Sequence, residues 1–448
     1  MNDGRRHIIW RIRMIYIFIC VMSLLIFVKV CYIQFVEGGE LKELAEDLTI
    51  ANKTIKAVRG NIYASDGSLL ATSVPRYEIR MDVNADAIDD ELFYENVDSL
   101  AWCLSNLFKY KSKEEYLREL TGARNSLSPS GRKGGRYHLL KRNATFTQLK
   151  KVKTFPILRR GRYKGGLIYL QKNRREKPFR HLAERTVGYY KTGASVGLER
   201  AYNKELQGVN GKRLMQKIAG GDWKPINDEN EIEPKNGYDL HTTIDINLQD
   251  VAENALLKQL TLHNADHGCV VLMEVKTGDV KAIANLKRKN SGGYYEGYNY
   301  AIGESTEPGS TFKLPVLMAA IEDGFINLND KVDTEGGKKM FYNEKMEDTH
   351  DHGVVTIQRA FEVSSNIAIA KTINEHYRKN PEAFVKRLHQ MGLNNQLGIE
   401  IHGEGKPKIK SPSSETWSGI TLPWMAHGYE VLQTPLQVLT FYNAVAND

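Results

Sequence analysis

Residues 307–313 read EPGSTFK. Pro308 and Gly309 interrupt the chain ahead of an apolar helical pattern, which places Ser310 in the first turn of a helix. Its hydroxyl then lies near unpaired backbone N–H groups and the positive end of the helix dipole, which favour a developing alkoxide or oxyanion. Lys313 follows by three residues and therefore lies one turn away on the same face. In a partly dry site its amine can lose a proton and act as a base toward the serine.

The S-x-x-K pattern is weak by itself, because helices rich in Ser and Lys often produce it. A second polar cluster, SSN at residues 364–366, follows Ser310 by 54 residues within an otherwise apolar stretch. We predict one helix over about residues 356–377, although Ser and Asn compete for backbone hydrogen bonds and are poor helix-interior residues. Their presence indicates a polar site or a helix cap. In a site, the Ser364 hydroxyl could relay a proton and the Asn366 amide could hold a peptide carbonyl.

The surrounding pattern predicts an α+β fold. Two strands followed by apolar helices indicate helices packed on an antiparallel sheet. Residues 40–235 are mixed and loop-rich, with a hairpin at Asp66-Gly67 and an exposed loop at residues 126–135. Later elements are a strand at 242–244, a helix at 247–263, strands at 268–274 and 280–285 around a Lys-Thr-Gly turn at 276–278, and a helix at 309–323 that Gly324 closes and Pro315 kinks.

The composition is that of a globular protein of about three domains. Of 448 residues, 41% are hydrophobic and 26% are charged, which excludes a mainly disordered or fibrous chain. The mean hydropathy of -0.44 excludes a polytopic membrane protein. The four cysteines are too few for a disulfide scaffold and lack metal-ligand spacing. The sequence DTHDH at residues 348–352 has no distant further ligand, so we expect no metal and no cofactor.

Basic residues outnumber acidic ones, and the excess is concentrated in one block. The net charge is +8, from 62 Lys and Arg against 54 Asp and Glu. Residues 132–185 hold eighteen Lys and Arg against Glu176 and Glu184 alone. Such a block can contact nucleic acid, anionic lipid or an anionic polymer. Because no motif that reads nucleic acid is present, we expect a solvated face or a contact with anionic lipid and wall polymer, and no nucleic-acid partner.

The N-terminal sequence predicts a single membrane anchor. Residues 14–28 form an apolar run without charges, and after Lys29 the apolar character continues to Val36. A helix over residues 14–36 would measure roughly 35 Å, enough to cross a ~30 Å hydrocarbon core with tilt. Four arginines lie within residues 1–13, which places this tail in the cytoplasm and the body outside the plasma (inner) membrane. A cleaved signal peptide would need a small-x-small site, which is absent, and a buried core helix is the other alternative.

The order of the two polar motifs resembles that of the penicillin-binding protein family. Its S-x-x-K and S-x-N motifs match Ser310/Lys313 and Ser364/Asn366. Other stretches resemble two boxes of the class B pedestal domain, the entry to the transpeptidase domain and the segment beyond the second motif. These stretches are residues 59–71, 188–208, 239–249 and 429–437. The resemblance therefore covers essentially everything from residue 59 onward.

The resemblance implies a domain order. It implies a cytoplasmic tail at 1–13, a transmembrane anchor at 14–36, a pedestal (dimerisation-type) domain at 37–235 and a transpeptidase domain at 236–448. A bifunctional class A enzyme is disfavoured, because the residues between the anchor and Arg59 could not hold a glycosyltransferase domain.

The resemblance also implies a reaction without a cofactor. Ser310 would attack the D-Ala-D-Ala carbonyl of a peptidoglycan stem peptide and expel D-alanine. An amine from a neighbouring stem would then resolve the acyl-enzyme into a cross-link. Lys313 would activate Ser310, Ser364 would relay protons, and the Ser310 N–H would supply half of the oxyanion hole. Asn366 would hold the substrate backbone, and β-lactams would acylate the same serine.

The third motif of the family, K-[TS]-G, is not found where the resemblance places it. It should follow S-x-N by well over a hundred residues, whereas only about eighty residues separate Asn366 from Asp448. Two K-T-G strings, at 191–193 and 276–278, precede Ser310, so we expect neither to be the third motif. We therefore expect a chain truncated before that motif, and no cross-linking by these residues alone.

Within class B, Glu307 and the Ser-Ser-Asn form of the second motif resemble the division (septal) enzymes. The resemblance then implies a septal glycosyltransferase and other divisome proteins as partners. An elongation-type transpeptidase is one alternative. A serine β-lactamase shares the nucleophile, but the anchor and the long pedestal oppose it. A non-catalytic division scaffold or β-lactam-binding protein is the third alternative, because the third motif is missing.

Overall fold

A computed structural model describes residues 3–37, 39, 50–127, 134–191, 193–217, 223–225 and 232–447. The predicted loop at 126–135 therefore lies largely outside the described residues, as does Thr192 of the first Lys-Thr-Gly string. The chain divides into two compact units, Met1–Val58 with Gln207–Gly237 and Arg59–Leu206 with Tyr238–Asp448. The domain limits 37–235 and 236–448 stay predictions.

The first unit holds the apolar N-terminal helix and a small sheet. The helix Asp3–Tyr32 continues as a π-helical turn, Ile33–Glu37. Within the described residues, its segment Arg13–Glu37 is the one helix long and apolar enough to cross a membrane, with a mean hydropathy of 2.6. The sheet has three antiparallel strands, in the order Ile50–Ile55, Gly211–Lys217 and Trp223–Pro225.

In the second unit, residues 59–206 form a lobe around one long strand, Leu69–Met81. This strand pairs antiparallel with Leu167–Glu176, with Ile62–Tyr63 and with His138–Ala144. Two helices, Asp90–Phe108 and Lys113–Asn125, share an apolar core with this sheet. The lobe also contains the helices Phe146–Val152, Gly161–Gly165, Glu184–Val187, Gly197–Ala201 and Asn203–Leu206 and the 3-10 helix Leu158–Arg160.

The hairpin predicted at Asp66-Gly67 is confirmed. The Ala64 N–H donates to the Ser68 carbonyl at 2.8 Å, and Gly67 adopts a φ of 83°, which few other residues tolerate. The short strand Ile62–Tyr63 that enters the turn also pairs in parallel with Leu240–His241. This pairing joins the lobe to the C-terminal part of the same unit.

Residues 238–447 carry helices on an antiparallel sheet, so the predicted α+β fold is confirmed. The sheet strands are His267–Met273, Val280–Arg288 and Tyr294–Tyr295. The helix Ile246–Leu262 packs on this sheet through Leu256 and Leu260. As predicted, the Lys-Thr-Gly string at 276–278 forms the turn between the first two strands.

The strand predicted at 242–244 is wrong. The strand ends at His241, because Thr242 and Thr243 direct their hydroxyls onto backbone carbonyls of neighbouring segments. Asp245 then caps the following helix by accepting hydrogen bonds from two of its first N–H groups. Local side-chain bonds to the backbone therefore override the β-propensity of two threonines.

The helix predicted at 309–323 is confirmed, with a difference in its first turn. Gly309–Phe312 form a 3-10 turn that leads into the α-helix Lys313–Glu322, named here the nucleophile helix. Gly324, with a φ of 73°, closes it as predicted.

Pro315 lies in the first turn of the nucleophile helix, where it cannot donate to the carbonyl of Thr311. That carbonyl instead accepts a hydrogen bond from the Tyr442 hydroxyl at 2.8 Å. Tyr442 belongs to the helix Pro435–Asn447. A side chain from another helix thereby replaces the backbone bond that the proline removes.

The single helix predicted at 356–377 is wrong. Two helices, Ile357–Glu362 and Asn366–Tyr377, are separated by Ser364, whose φ is 55°. The N–H groups of Ser364 and Ser365 bond back to carbonyls in the last turn of the first helix, which is a Schellman termination. Glycine is the usual residue at that left-handed position, so nothing in the sequence marks the break. We call Asn366–Tyr377 the second-motif helix.

The largest apolar core surrounds the nucleophile helix. The second-motif helix and the helix Pro381–Gln390 both contribute to it. Its members that are 1% exposed or less include Phe312, Val316, Ala319, Ala320, Ile367, Ile369, Ile373, Tyr377, Phe384 and Leu388. The remaining elements are the helices Tyr300–Gly303 and Thr421–Met425, the 3-10 helix Glu335–Gly337, and the strand pairs Lys331–Asp333 with Val354–Thr356, Lys338–Phe341 with Glu344–Glu347, and Lys408–Ile409 with Val431–Leu432.

Candidate active site

Ser310 lies in the 3-10 turn that opens the nucleophile helix, and its side chain is exposed. Gly428 holds this turn by accepting a hydrogen bond from the Gly309 N–H at 3.1 Å. A Cβ on Gly428 would lie 1.9 Å from the Gly309 carbonyl oxygen, so only glycine fits there. Direct backbone contact therefore fixes the turn that carries Ser310.

Lys313 is almost completely buried, with 1% of its surface exposed. Its Nζ donates to the Ser364 backbone oxygen at 2.6 Å, to Ser364 Oγ at 3.0 Å and to Asn366 Oδ1 at 2.7 Å. Three of the four predicted site residues are therefore joined in one cluster, which we call the Lys313 cluster. Ser310 precedes it by one turn, and among the described residues its hydroxyl has no hydrogen-bond partner.

Burial sets the protonation behaviour of this cluster. It lowers the pKa of Lys313 from 10.5 to about 8, although the Asp348 carboxylate opposes the shift. An amine with this pKa is neutral in an appreciable fraction near neutral pH and can accept a proton. Burial, and then the charge of Lys313, lowers the pKa of His427 to about 4, so this imidazole is neutral at the same pH.

Asp348 holds the second motif in place. Its carboxylate accepts hydrogen bonds from Ser365 Oγ at 2.5 Å, from the Asn366 N–H at 2.6 Å and from the Ile367 N–H at 3.1 Å. The two N–H groups begin the second-motif helix, where they have no partner within the helix and where a negative charge is favourable. Asp348 lies outside both motifs, so no local pattern in the sequence indicates this role.

Ser364 is held in a strained backbone conformation. A φ of 55° lies in the left-handed region, which costs a non-glycine residue roughly 1–2 kcal/mol. The helix before it and the capped helix after it over-determine this conformation, which presents both the carbonyl oxygen and the hydroxyl of Ser364 to Lys313. Strained residues of this kind cluster at functional sites.

The aspartates of the DTHDH stretch at 348–352 have structural roles. Asp348 caps the second-motif helix, and Asp351 accepts hydrogen bonds from Thr334 Oγ1 at 3.2 Å and from the Gly353 N–H at 2.9 Å. Within the described ranges, no group of three or more His, Cys, Asp or Glu side chains is placed to hold a metal ion.

The segment around Gly428 also contributes His427, which no pattern in the sequence indicates. His427 is 7% exposed, and its Nε2 has no partner in the part of the chain that the structure describes. Its ring lies 4.9 Å from that of Tyr429. Glu307 accepts a hydrogen bond from the Glu430 N–H at 3.1 Å. A single histidine without a motif carries no sequence signal, whereas Glu307 lies directly before the nucleophile turn.

Two family models match this sequence, and they cover most of it. One, described as the penicillin-binding protein dimerisation domain, matches residues 54–242, and the other, the penicillin binding protein transpeptidase domain, matches residues 268–448. The fold and the Lys313 cluster agree with this match. The chain belongs to the class B penicillin-binding proteins, which join these two domains, and the family predicted from the two motifs is confirmed.

Named relatives agree with this assignment. The chain is 23% identical over 430 residues to the probable peptidoglycan D,D-transpeptidase PenA of Neisseria meningitidis, covering 93% of this chain and 68% of the relative. It is 26% identical over 289 residues to the peptidoglycan D,D-transpeptidase FtsI of Escherichia coli, covering 63% of this chain and 48% of the relative. The chain thus spans about half to two thirds of their lengths. These names are consistent with the predicted serine-type D-Ala-D-Ala transpeptidase family.

Solved structures share the fold. A structure titled "Structural coordination of polymerization and crosslinking by a peptidoglycan synthase complex" aligns with a TM-score of 0.66 and 20% identity, over 97% of this chain and 77% of that chain. The structure of penicillin binding protein 2X from Streptococcus thermophilus also aligns, with a TM-score of 0.66 and 18% identity over 89% of this chain and 59% of that chain, so the α+β architecture is shared with a known penicillin-binding protein.

We predict that Asp348→Ala lowers the free energy of unfolding by about 2–4 kcal/mol, because two helix N–H groups and the Ser365 hydroxyl lose a charged acceptor. Asp348→Asn keeps an acceptor and should lose less. Chemical denaturation of both variants measures this order. Asp250→Ala, which removes an exposed carboxylate from the helix Ile246–Leu262, is the control and should stay near wild type. Equal losses for Asp348→Ala and Asp250→Ala would contradict the anchoring role of Asp348.

We predict that acylation of Ser310 by benzylpenicillin accelerates about tenfold between pH 7 and pH 9, because the neutral fraction of Lys313 rises through its pKa of about 8. His427 is already neutral over this range. The second-order acylation rate constant, measured at each pH, gives the profile.

The buried carboxyl group of Glu296 titrates in the same range and supplies the control. Burial raises the pKa of Glu296 to about 8, and this carboxylate accepts hydrogen bonds from the Arg185 and Asn285 N–H groups. Glu296→Gln keeps an acceptor and should leave the pH profile unchanged. A profile that flattens in Glu296→Gln would assign the titration to Glu296 instead of Lys313.

Proposed function

We propose that this chain is a septal-type peptidoglycan D,D-transpeptidase that acts through a serine acyl-enzyme. The Lys313 cluster is the observation that carries the proposal. It combines a buried amine of lowered pKa, a serine one turn before it, and a second hydroxyl bonded to the same amine. A lysine with a purely structural role needs a carboxylate partner when buried, whereas this one is bonded to neutral oxygens.

The proposed reaction begins with a proton transfer. The neutral Lys313 amine takes the proton of Ser310 while Ser310 Oγ attacks the penultimate D-Ala carbonyl of a stem peptide. When the tetrahedral intermediate collapses, the amide C–N bond breaks, and the Ser364 hydroxyl passes a proton from Lys313 to the leaving D-alanine amine. An amine of a neighbouring stem then attacks the acyl-enzyme, loses its proton along the same path, and frees Ser310.

Two groups would hold the substrate during this reaction. The Ser310 N–H lies at the start of the nucleophile helix and supplies one oxyanion donor. Asn366 Nδ2 donates to the Glu347 carbonyl at 3.3 Å, a long bond that a substrate carbonyl could replace. Asn366 would thereby bind the substrate backbone while its Oδ1 keeps Lys313 in place.

Acylation and cross-linking are separate expectations. In the family, the third motif completes the oxyanion hole, and no K-[TS]-G follows Asn366 in this sequence. The string at 276–278 forms a hairpin turn. We expect β-lactams to acylate Ser310, whereas cross-linking depends in addition on that third motif. A third motif beyond residue 448 stays a prediction.

The septal type, the location and the partners belong to the same proposal. Glu307 and the Ser-Ser-Asn form of the second motif support the septal type, and the elongation type is the alternative. We propose that residues 14–36 anchor the chain in the plasma (inner) membrane, with the four arginines of residues 1–13 in the cytoplasm. The pedestal at 37–235 and the transpeptidase domain at 236–448 then lie outside.

Stem peptides, β-lactams and the membrane are the proposed non-protein partners. A septal glycosyltransferase and other divisome proteins are the proposed protein partners. The solved structure that aligns over 97% of this chain with a TM-score of 0.66 supports the proposal of protein partners, because it is described as a peptidoglycan synthase complex. The basic block at 132–185 gives no reason to add nucleic acid.

The alternative that the sequence leaves open is a non-catalytic division scaffold. A fluorescent penicillin separates the two functions. We predict that it labels the full chain covalently, that Ser310→Ala abolishes labelling, and that Lys313→Ala slows it by about 10²–10⁴-fold. Ser291→Ala removes another exposed serine hydroxyl and should label like wild type. Failure of the folded wild-type chain to label would support the scaffold.

A further inference from the structure

One surface of the lobe is strongly basic, and the proposed reaction does not use it. Residues 132–175 contain fifteen Lys and Arg and no Asp or Glu. In the described part of this range, seven exposed cations lie close together in the chain, and we call them the basic face. They are Lys150, Lys151, Lys153, Arg159, Arg160, Arg162 and Lys164.

The basic face is built on a rigid backbone. Leu158 N–H donates to the Pro156 carbonyl at 2.7 Å, and Ile157 between them has φ 62° and ψ -59°. This is a γ-turn in a left-handed conformation that a β-branched residue rarely adopts. It directs Ile157 and Leu158 into the core and leaves Arg159 exposed. Strain of this kind persists where the surrounding structure over-determines it, and it often marks a functional site.

Two glycines allow close backbone contacts next to the γ-turn. A Cβ on Gly165 would lie 2.2 Å from the Ile157 carbonyl oxygen, and one on Gly166 would lie 2.1 Å from that of Asp82. The backbone that carries these cations is therefore fixed, which lowers the backbone entropy lost on binding a ligand.

Part of the basic face lines a cavity of about 520 Å³. Lys153, Arg159 and Arg162 line it together with Tyr169, and the buried side chains of Leu158 and Leu167 add apolar lining. Lys153 Nζ lies 3.4 Å from the Tyr169 hydroxyl. Phe146 and Tyr163 also expose their rings, at 62% and 58% of their surface. Aromatic rings and positive charges therefore alternate on this surface.

Most of these charges are available to a ligand. Within the described ranges, Lys150, Lys151, Lys153, Arg159, Arg160 and Lys164 form no ion pair with a carboxylate. Elsewhere in the lobe, Lys172 pairs with Glu78 and Arg175 with Glu199. These six cations therefore carry positive charge that no carboxylate among the described residues compensates.

We propose that the basic face binds an anionic glycan chain, which alternates sugar rings with carboxylates. Apolar faces of sugar rings pack on aromatic rings, and guanidinium and ammonium groups bind the carboxylates. A lipid surface fits less well, because Leu149 and Val152 of the helix Phe146–Val152 are buried in the core, which leaves Phe146 as the one apolar side chain that this helix could insert. The choice of peptidoglycan as the glycan rests on the proposed function.

The test uses the full chain in an uncharged detergent and glycan strands freed of their stem peptides. Such strands keep the carboxylates of their muramic acids but carry no peptide for the transpeptidase site. We expect salt-sensitive binding, weakened at least about tenfold in K151Q/K153Q/R159Q. K258Q/R378Q/K379Q removes the same number of Lys and Arg charges from exposed positions outside the lobe and should bind like wild type.

Further probes decide the identity of the ligand. Tyr169→Ala should weaken binding of the glycan more than binding of poly-L-glutamate, because only the glycan has rings to stack. Equal affinity in the two triple variants would overturn the proposal. So would stronger binding of phosphatidylglycerol vesicles, poly-L-glutamate or DNA than of the glycan, which would assign the surface to lipid, an acidic protein or nucleic acid.

Penicillin labelling in the same samples separates this proposal from the proposed function. K151Q/K153Q/R159Q should label at the wild-type rate, and Ser310→Ala should still bind the glycan. Loss of labelling with intact glycan binding would contradict only the transpeptidase assignment. Loss of glycan binding with intact labelling would contradict only the second site.

Discussion

The geometry of the site depends on three hydrogen bonds from one buried ammonium group, that of Lys313. Its acceptors are the carbonyl and hydroxyl oxygens of Ser364 and the amide oxygen of Asn366. These oxygens converge only because the chain breaks between two helices, with Ser364 in a left-handed conformation. Asp348 then fixes the next helix from its N-terminus. Backbone strain, a helix cap and a buried amine therefore form one interdependent arrangement.

The same arrangement explains how a buried lysine can be reactive. Burial without a directly bonded carboxylate disfavours the charged form of Lys313 and lowers its pKa. Neutral oxygens still satisfy its N–H donors, so the amine remains ordered in one orientation. The negative charge of Asp348 limits this decrease in the pKa of Lys313. The Asp348 carboxylate accepts its backbone hydrogen bonds from the N-terminus of the second-motif helix and does not bond to Lys313 directly. An amine that is ordered yet readily deprotonated is what a general base toward Ser310 requires.

Much of the fold and most of the proposed site could be predicted from sequence. Ser310, Lys313, Ser364 and Asn366 belong to short motifs, and the hairpin at Asp66-Gly67 has turn residues that specify it. The helix end at Ser364 was not predicted, because glycine is the residue that usually marks a helix end of this kind. The prediction of a strand at 242–244 was wrong because the Thr242 and Thr243 hydroxyls donate to backbone carbonyls of neighbouring segments. Asp348 and His427 act through tertiary contacts from outside the motifs, and no local pattern identifies such contacts.

The most direct test of this account is the pKa of Lys313 itself. A ¹³C NMR titration of the lysine ε-carbons in the full chain, with Lys313 assigned by its absence in Lys313→Ala, would measure it. The account predicts one lysine that titrates near pH 8 and whose signal changes when a β-lactam acylates Ser310. Titration of Lys313 near its ordinary pKa of 10.5, with no response to acylation, would contradict the central claim that this amine is the base of the site.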